Sequence, residues 1–466
     1  MQRGRRCQLA NRVLTLPGRC TEAGAPNRQP QAPRPHPGEC AMPDSTRFRE
    51  ILDRTFVIDT HEHIRPLEKL REGPWDFIEL CRGSYVAADL RSAGMTEQDW
   101  PDADATPEDR WRAFEPWARR VRNTAYYQSL VMGCHKLHGL PEQDDVNAFS
   151  MPALTEAMER MRRRDDLYDY ALTGIGGIQV ALQDPHWQPF CWETEGDVLR
   201  AVFRINCFVM APFPGQADHN AAAPHAFATA MDYEITGFDS YRELIGRAIE
   251  KYKQAGGIAL KSSLAYDRTL EFGDVSRDDA ARLYARGADA LDAAEAKALQ
   301  DYLMHAVVEA AEAHGLPIQI HTGIRAGSGD CRGANPSLLT GLIAAHPNAR
   351  FDLFHGGYPY ATELSVMAKG FPNVYLDLCW LPIISPSVTV RMLHEWLETV
   401  PVTKLLWGGD CGSVEASLGA LEMAKRVISR TLAEKTELER YFSHDTAVDV
   451  ATGILHDNAA RLFGLS

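Results

Sequence analysis

"FVIDTHEHIRP", residues 56–66, decides how the chain is read. The run Phe56–Asp59 is apolar and β-branched, and it stops at a polar stretch carrying His61 and His63. A run of this kind bounded by polar residues reads as a buried strand. Alternate residues of a strand face the same way, so His61 and His63 can aim at one point. Neutral imidazole is a good ligand for zinc and other divalent first-row metals. Alone, the HxH pair is a weak signal. The chain has sixteen histidines in 466 residues, so chance pairs are expected, and a surface turn that carries histidines is the competing reading.

Downstream, strands and helices alternate. Strand patterns lie at Gly176–Leu182, Val202–Met210, Gly257–Ser263, Leu316–Gly323, Arg350–Gly357, Asn373–Cys379 and Lys404–Asp410. Helical patterns separate the later ones, including Ser240–Gly256, which ends on glycines, and Ala298–Gly315. With the opening strand this makes eight strands, and strands alternating with helices of this length imply parallel β/α units. The expected fold is α/β, a (β/α)8 TIM barrel. A doubly wound open sheet has less support, because no GxGxxG follows the first strand. The segment 65–170 is too long for a loop and its end is helical in pattern, so a helical insertion after strand one is expected to cap the mouth.

In such a barrel, catalytic groups sit at the C-terminal ends of the strands. Strand one ends at His61 and His63, strand four carries Lys261, and strands five, six and eight end at His321, His355 and Asp410. His61, His63, His321 and Asp410 are the expected metal ligands, and Asp410, Lys261 and His355 the expected catalytic groups. A divalent metal, with zinc the expected ion and one rather than two, lowers the pKa of water towards neutrality, and Asp410 can take the proton. Each residue has a blander reading: a histidine hydrogen-bonded beside a turn, Asp410 as a helix N-cap, Lys261 paired with a carboxylate. Five strand ends that all suit a metal outweigh those readings jointly. Arg65, Arg325, Arg332, Tyr358 and Trp380 lie just beyond strand ends and are expected to bind substrate. Arginine forks suit carboxylates, so a carboxylate-bearing small molecule is the expected substrate.

Composition narrows the rest. The net charge of −14 and pI of about 5.6 oppose a nucleic-acid partner or an anionic membrane surface. No apolar run reaches the roughly 18 residues of a membrane span. The ten cysteines contain no CxxC and read as reduced thiols, which points to the cytoplasm. The oligomeric state is open, a homo-oligomer included. Residues 1–41 are rich in Arg and Pro and poor in acids, so they are expected to be disordered. A protein that begins at Met42 explains them better than a targeting peptide, because the prolines oppose an amphipathic helix. The catalytic unit is then 42–466.

The order "DTHEH", "HTG", "FHGGYPY", "GGD" resembles the amidohydrolase superfamily. "ALKSSLAYDR", the stretch from "HTGIRAG" to "LPIISP" and the closing "NAARLFGL" are similar to its amidohydrolase-related group with nodulin/FluG-like domains. The resemblance runs from about Phe56 to the C-terminus and is weakest in the insertion. It implies a metal-dependent hydrolase acting on a C–N bond, with uronate isomerisation or decarboxylation in the same site, or a catalytically silent barrel, as alternatives. It also implies a strand-four lysine that is carbamylated in binuclear relatives, a role left open for Lys261.

Overall fold

The computed structural model describes residues 44–72, 75–141 and 145–465. The expectation for residues 1–41 therefore lies outside the described residues. The strands are β1 (Val57–Glu62), β2 (Ile178–Gln183), β3 in two pieces (Leu199–Ala201 and Phe203–Arg204), β4 (Leu260–Ser262), β5 (Ile318–Ile320), β6 (Phe351–Leu353), β7 (Val374–Asp377) and β8 (Leu405–Leu406). Each pairs in parallel with the next. The first piece of β3 pairs with β2 and the second with β4, and Val202 between them donates to the Gln183 carbonyl at 2.8 Å. On the far side, Thr60 N donates to the Trp407 carbonyl at 3.2 Å and Asp410 N to that of His61 at 2.8 Å. Strand order thus returns to its start, which makes the ring of a (β/α)8 barrel. All six residues of β1 are buried, as expected for a parallel strand covered on both faces.

Two strands are shorter than their apolar runs. Val202–Met210 was expected as one strand, but the chain turns after Arg204 into a helix, Asn206–Met210. Asn206 fixes that turn: its amide oxygen accepts from Ser263 N at 2.8 Å, and its amide nitrogen donates to Asp267 at 2.9 Å. A continuous apolar run does not distinguish a buried strand from a buried helix. The run from Arg350 leaves the sheet at Leu353, and His355 enters the left-handed region at φ 64°.

Between β1 and β2 the chain passes through helices that include Phe77–Arg82, Val86–Ser92, Pro107–Val121, Ala125–His138 and Met151–Met161. The helix Ala125–His138 packs along Val414–Ala433, which follows β8. A Cβ on Gly133 would lie 1.8 Å from the Glu415 carbonyl oxygen, and one on Gly419 1.8 Å from that of Ser129. The two backbones touch, which only glycine permits at those positions. His138 Nε2 meets Glu415 Oε1 at 3.0 Å, with both side chains buried. At the N-terminal ends of the strands, Ile58, Val202, Ala259 and Leu406 pack on Leu462 and Phe463 of the last helix and close the barrel bottom. Among the described residues, no helix is long and apolar enough to cross a membrane.

Candidate metal centre

The β1 pair projects from a braced turn. Gln183, the last residue of β2, holds Ile64 with both ends of its amide, at 3.2 and 2.7 Å. The rings of His61 and His63 lie 4.8 Å apart edge to face. His61 is fully buried and its Nδ1 contacts Gln319 Oε1 at 3.2 Å. Its Nε2 is buried with no hydrogen-bond partner among the described residues, 3.8 Å from Asp184 Oδ2 and 3.9 Å from Asp410 Oδ1. These gaps are too wide for hydrogen bonds and suit a cation between the groups. His63 Nε2 is 3.2 Å from the same Asp410 oxygen, and its Nδ1 contacts the Asp184 carbonyl at 3.2 Å. His61, His63 and Asp184 form a set whose ligand atoms all lie within 4.8 Å of one another. Glu62 points elsewhere: its carboxylate accepts from Cys411 N at 2.6 Å.

Asp410 is held from several sides. It adopts φ 58°, and its Oδ2 accepts the Tyr85 hydroxyl at 2.9 Å. Burial alone would raise its pKa, but the hydrogen bond from His63 and the nearby rings of His355 and His61 hold it well below the usual range. Burial, with Lys261 and His63 beside it, keeps His61 well below its ordinary value. A neutral His61 imidazole and an ionised Asp410 carboxylate are the protonation states metal ligands need, so the residues present fit a divalent cation.

A second set lies across the barrel. His321 Nε2 contacts the Ile324 carbonyl at 2.7 Å and His355 Nδ1 that of Cys379 at 3.1 Å. Carbonyls only accept, so both of these nitrogens carry the proton. The remaining nitrogens, His321 Nδ1 and His355 Nε2, face each other at 2.9 Å. Burial keeps His355 neutral, with its pKa pushed down to about 4, and holds His321 well below its ordinary value. His321 thus contacts His355, while His61 and His63 share their set with Asp184. His355, Trp380 and Asp410, which follow β6, β7 and β8, all have positive φ. Conformations of this kind cost of order 1 kcal/mol each and gather at functional sites. Lys261 is buried, its Nζ lies 3.7 Å from the centre of the Phe354 ring, and burial brings its pKa down to about 8.

A cavity of ≈ 970 Å³ opens above the first set, lined among others by His63, Arg65, Tyr85, Arg91, His186 and Asp410. The side chains of Arg65 and Arg91 meet no carboxylate among the described residues. The other residues expected to bind substrate are used elsewhere. Arg325 ties its own loop through Ala265 and Ser328, at 3.2 and 3.1 Å. Arg332 forks onto Asp330 at 2.8 Å with its side chain 88% exposed. Tyr358 contributes its carbonyl to Ile324 N at 2.7 Å. Trp380 is buried under Tyr85, ring centres 4.4 Å apart, and does not line the cavity. Local sequence could not foresee this cover, because Tyr85 arrives from the insertion.

Sequence reading missed Asp184 and Tyr85. Asp184 stands one residue past β2, whose apolar pattern ends at Leu182; the "QD" that follows is the available signal. Arg204 pairs with Asp184 and, against the effect of burial, holds it ionised.

Residues 272–465 match a family model described as Amidohydrolase. Protein fluG of Emericella nidulans is 29% identical over 223 residues, which is 45% of this chain and 26% of that protein. The chain thus matches about a quarter of that relative's length. Among solved structures, a glucuronate isomerase from Caulobacter crescentus aligns with TM-score 0.72 and 17% identity over 91% of this chain and 94% of its own. A uronate isomerase from Thermotoga maritima aligns with TM-score 0.71 and 14% identity over 90% and 97%. A putative metal-dependent hydrolase from Lactobacillus casei aligns with TM-score 0.61 and 18% identity over 91% and 98%. At these identities the structures attest the barrel fold.

Proposed function

We propose that this chain, a member of the amidohydrolase superfamily, is a metal-dependent hydrolase that cleaves an amide-type C–N bond in a small carboxylate-bearing molecule. The observation that carries this reading is the buried, unpartnered His61 Nε2 facing Asp410 at 3.9 Å beneath a cavity that Arg65 lines. His61, His63 and Asp410 would hold one divalent cation, zinc by ligand type. Such a cation, when bound, polarises a carbonyl and makes water nucleophilic near neutral pH. Asp410 then takes the proton from the attacking water and delivers it to the leaving nitrogen. Tyr85 keeps that carboxylate oriented through its 2.9 Å hydrogen bond. Burial holds the Tyr85 hydroxyl protonated, so it stays a donor. Arg65 receives the substrate carboxylate, and the insertion walls the cavity from bulk water.

Aldose–ketose isomerisation of a uronate is the second reading. It is favoured by fold likeness to two uronate isomerases that extends over 90% and 91% of this chain. A uronate also carries a carboxylate for Arg65. Metal analysis of the purified protein, followed by product profiling on N-acyl amides, γ-glutamyl amides and uronic acids, tests both. The expected result is stoichiometric metal, lost together with amide turnover in His61→Ala. Uronate turnover without amide cleavage replaces the first reading with the second. A protein that binds no divalent metal sinks both.

A further inference from the structure

We propose that the substrate is a dicarboxylate, and that Arg91 of the insertion receives its second carboxylate, away from the end that meets the metal ligands. The inference rests on the carboxylate-bearing substrate proposed above and deepens it to a molecule with an anion at each end.

Charge sets the cavity apart from the rest of the protein. The chain carries a net charge of −14. The wall of the ≈ 970 Å³ cavity reverses that sign, with Arg65, Lys69, Arg82 and Arg91 set against Glu68 and Glu72 once Asp410 is counted with the metal ligands. Lys69 is matched by Glu72 at 2.8 Å and Arg82 by Glu97 at 3.5 Å. Arg65 and Arg91 have no carboxylate partner among the described residues, Glu68 included. A cation-lined cleft concentrates anions, and one anion on the substrate would match only one of these two arginines.

Position separates the pair. Arg65 follows His63 by two residues, and its backbone N–H donates at 3.4 Å to the carbonyl of Gly412, two residues past Asp410. Its guanidinium lies against Gly83, where a Cβ would stand 3.2 Å from Nη2. Arg65 therefore belongs to the metal end. Arg91 sits on the helix Val86–Ser92, which starts beside Tyr85, the residue that donates to Asp410 at 2.9 Å. At 1.5 Å of rise per residue, Arg91 stands about 9 Å further along the axis than Tyr85. Ala88 and Ala87, three and four residues before Arg91, share its helix face and also line the cavity. Their small side chains leave a floor along which an extended molecule reaches Arg91. A monosaccharide uronate has one carboxylate and leaves Arg91 unmatched in a cavity large enough for a drug-sized molecule.

Calorimetric titration of the metal-loaded full chain with linear α,ω-dicarboxylates and with monocarboxylates of equal chain length tests this. The best dicarboxylate should bind at least about tenfold more tightly than its monocarboxylate counterpart, the increment of one charge-assisted contact. Arg91→Gln should remove that preference, Arg91→Lys should keep part of it, and Arg65→Gln should weaken both series. Arg82→Gln should retain it. Equal affinity for the two series, or no binding of either, overturns the inference. So does a preference that survives Arg91→Gln or is lost equally in Arg82→Gln. Any of these results in a protein that holds metal and turns over an amide leaves the hydrolase reading standing. A preference lost in Arg91→Gln, in a protein that cleaves no amide, supports the two-anion cavity and overturns the hydrolase reading alone.

Discussion

Around the barrel mouth, the arc of β1, β2 and β8 and the arc of β5, β6 and β7 each present two histidines beside acidic or sulfur ligands. The first arc opens onto the cavity through His63 and Asp410. The second lies under Trp380, which is itself covered by Tyr85 and Tyr126 from the insertion, with ring centres 4.4 and 6.1 Å away. The ligand chemistry of the two arcs is alike, and cover makes them different. The insertion leaves the first arc open to the cavity and closes aromatic rings over the second.

Asp410 follows β8, and its side chain lies close to ligand atoms of both arcs, so its loss should be the most severe break in the comparison. Asp410→Asn keeps the shape and removes the proton acceptor, and kcat should fall about 10²–10⁴-fold in steady-state assays on the amide that product profiling identifies. An unchanged kcat would move the chemistry away from the open arc. Tyr85→Phe deletes a hydrogen bond to a charged group while keeping the stacked cover. Such bonds are worth about 1.5–3 kcal/mol, so kcat should drop about tenfold or more with little change in metal content.

The insertion's anchorage sets the third test. Gly419→Leu drives a side chain at a carbonyl 1.8 Å from the new Cβ and should cost about 1–3 kcal/mol in denaturant unfolding. If stability is unaffected, the insertion is not bolted to the barrel there. Arg332→Ala, out in solvent on Asp330, should leave kcat/KM within about twofold, since exposed ion pairs contribute little.

The smallest effect concerns pH beside His321, where Tyr266 packs on it with ring centres 4.7 Å apart. His219 lies beside Tyr266, 2.6 Å from Asp267. The Asp267 hydrogen bond raises the His219 pKa above its ordinary 6.5. A raised folded-state pKa gives stability that is fully present below the unfolded pKa of 6.5 and is lost as pH rises through the folded value. Asp267→Asn should therefore lower the thermal midpoint slightly more at pH 5 than at pH 9.

Much of this was legible from residue order. The strand ends His61, His63, Lys261, His321, His355 and Asp410 were read from strand pattern and all reach the barrel's interior or its mouth. Grouping was not legible. His321 pairs with His355, because its ring is turned by the Ile324 carbonyl and sits across from β6. Arg325 and Arg332 looked free in sequence, but each folds back on a partner within its own loop or nearby, which no spacing rule reveals.

Sequence by itself determined where most strands lie and which ligand-type residues end them, because apolar β-branched runs and polar stops are local properties of the chain. Only the tertiary structure decided which of those residues meet, that Asp184 and Tyr85 join them, and which arc stays open. Those outcomes depend on contacts between segments far apart in sequence, such as Tyr85 with Asp410, and ring closure and helix packing fix such contacts rather than any one stretch of residues.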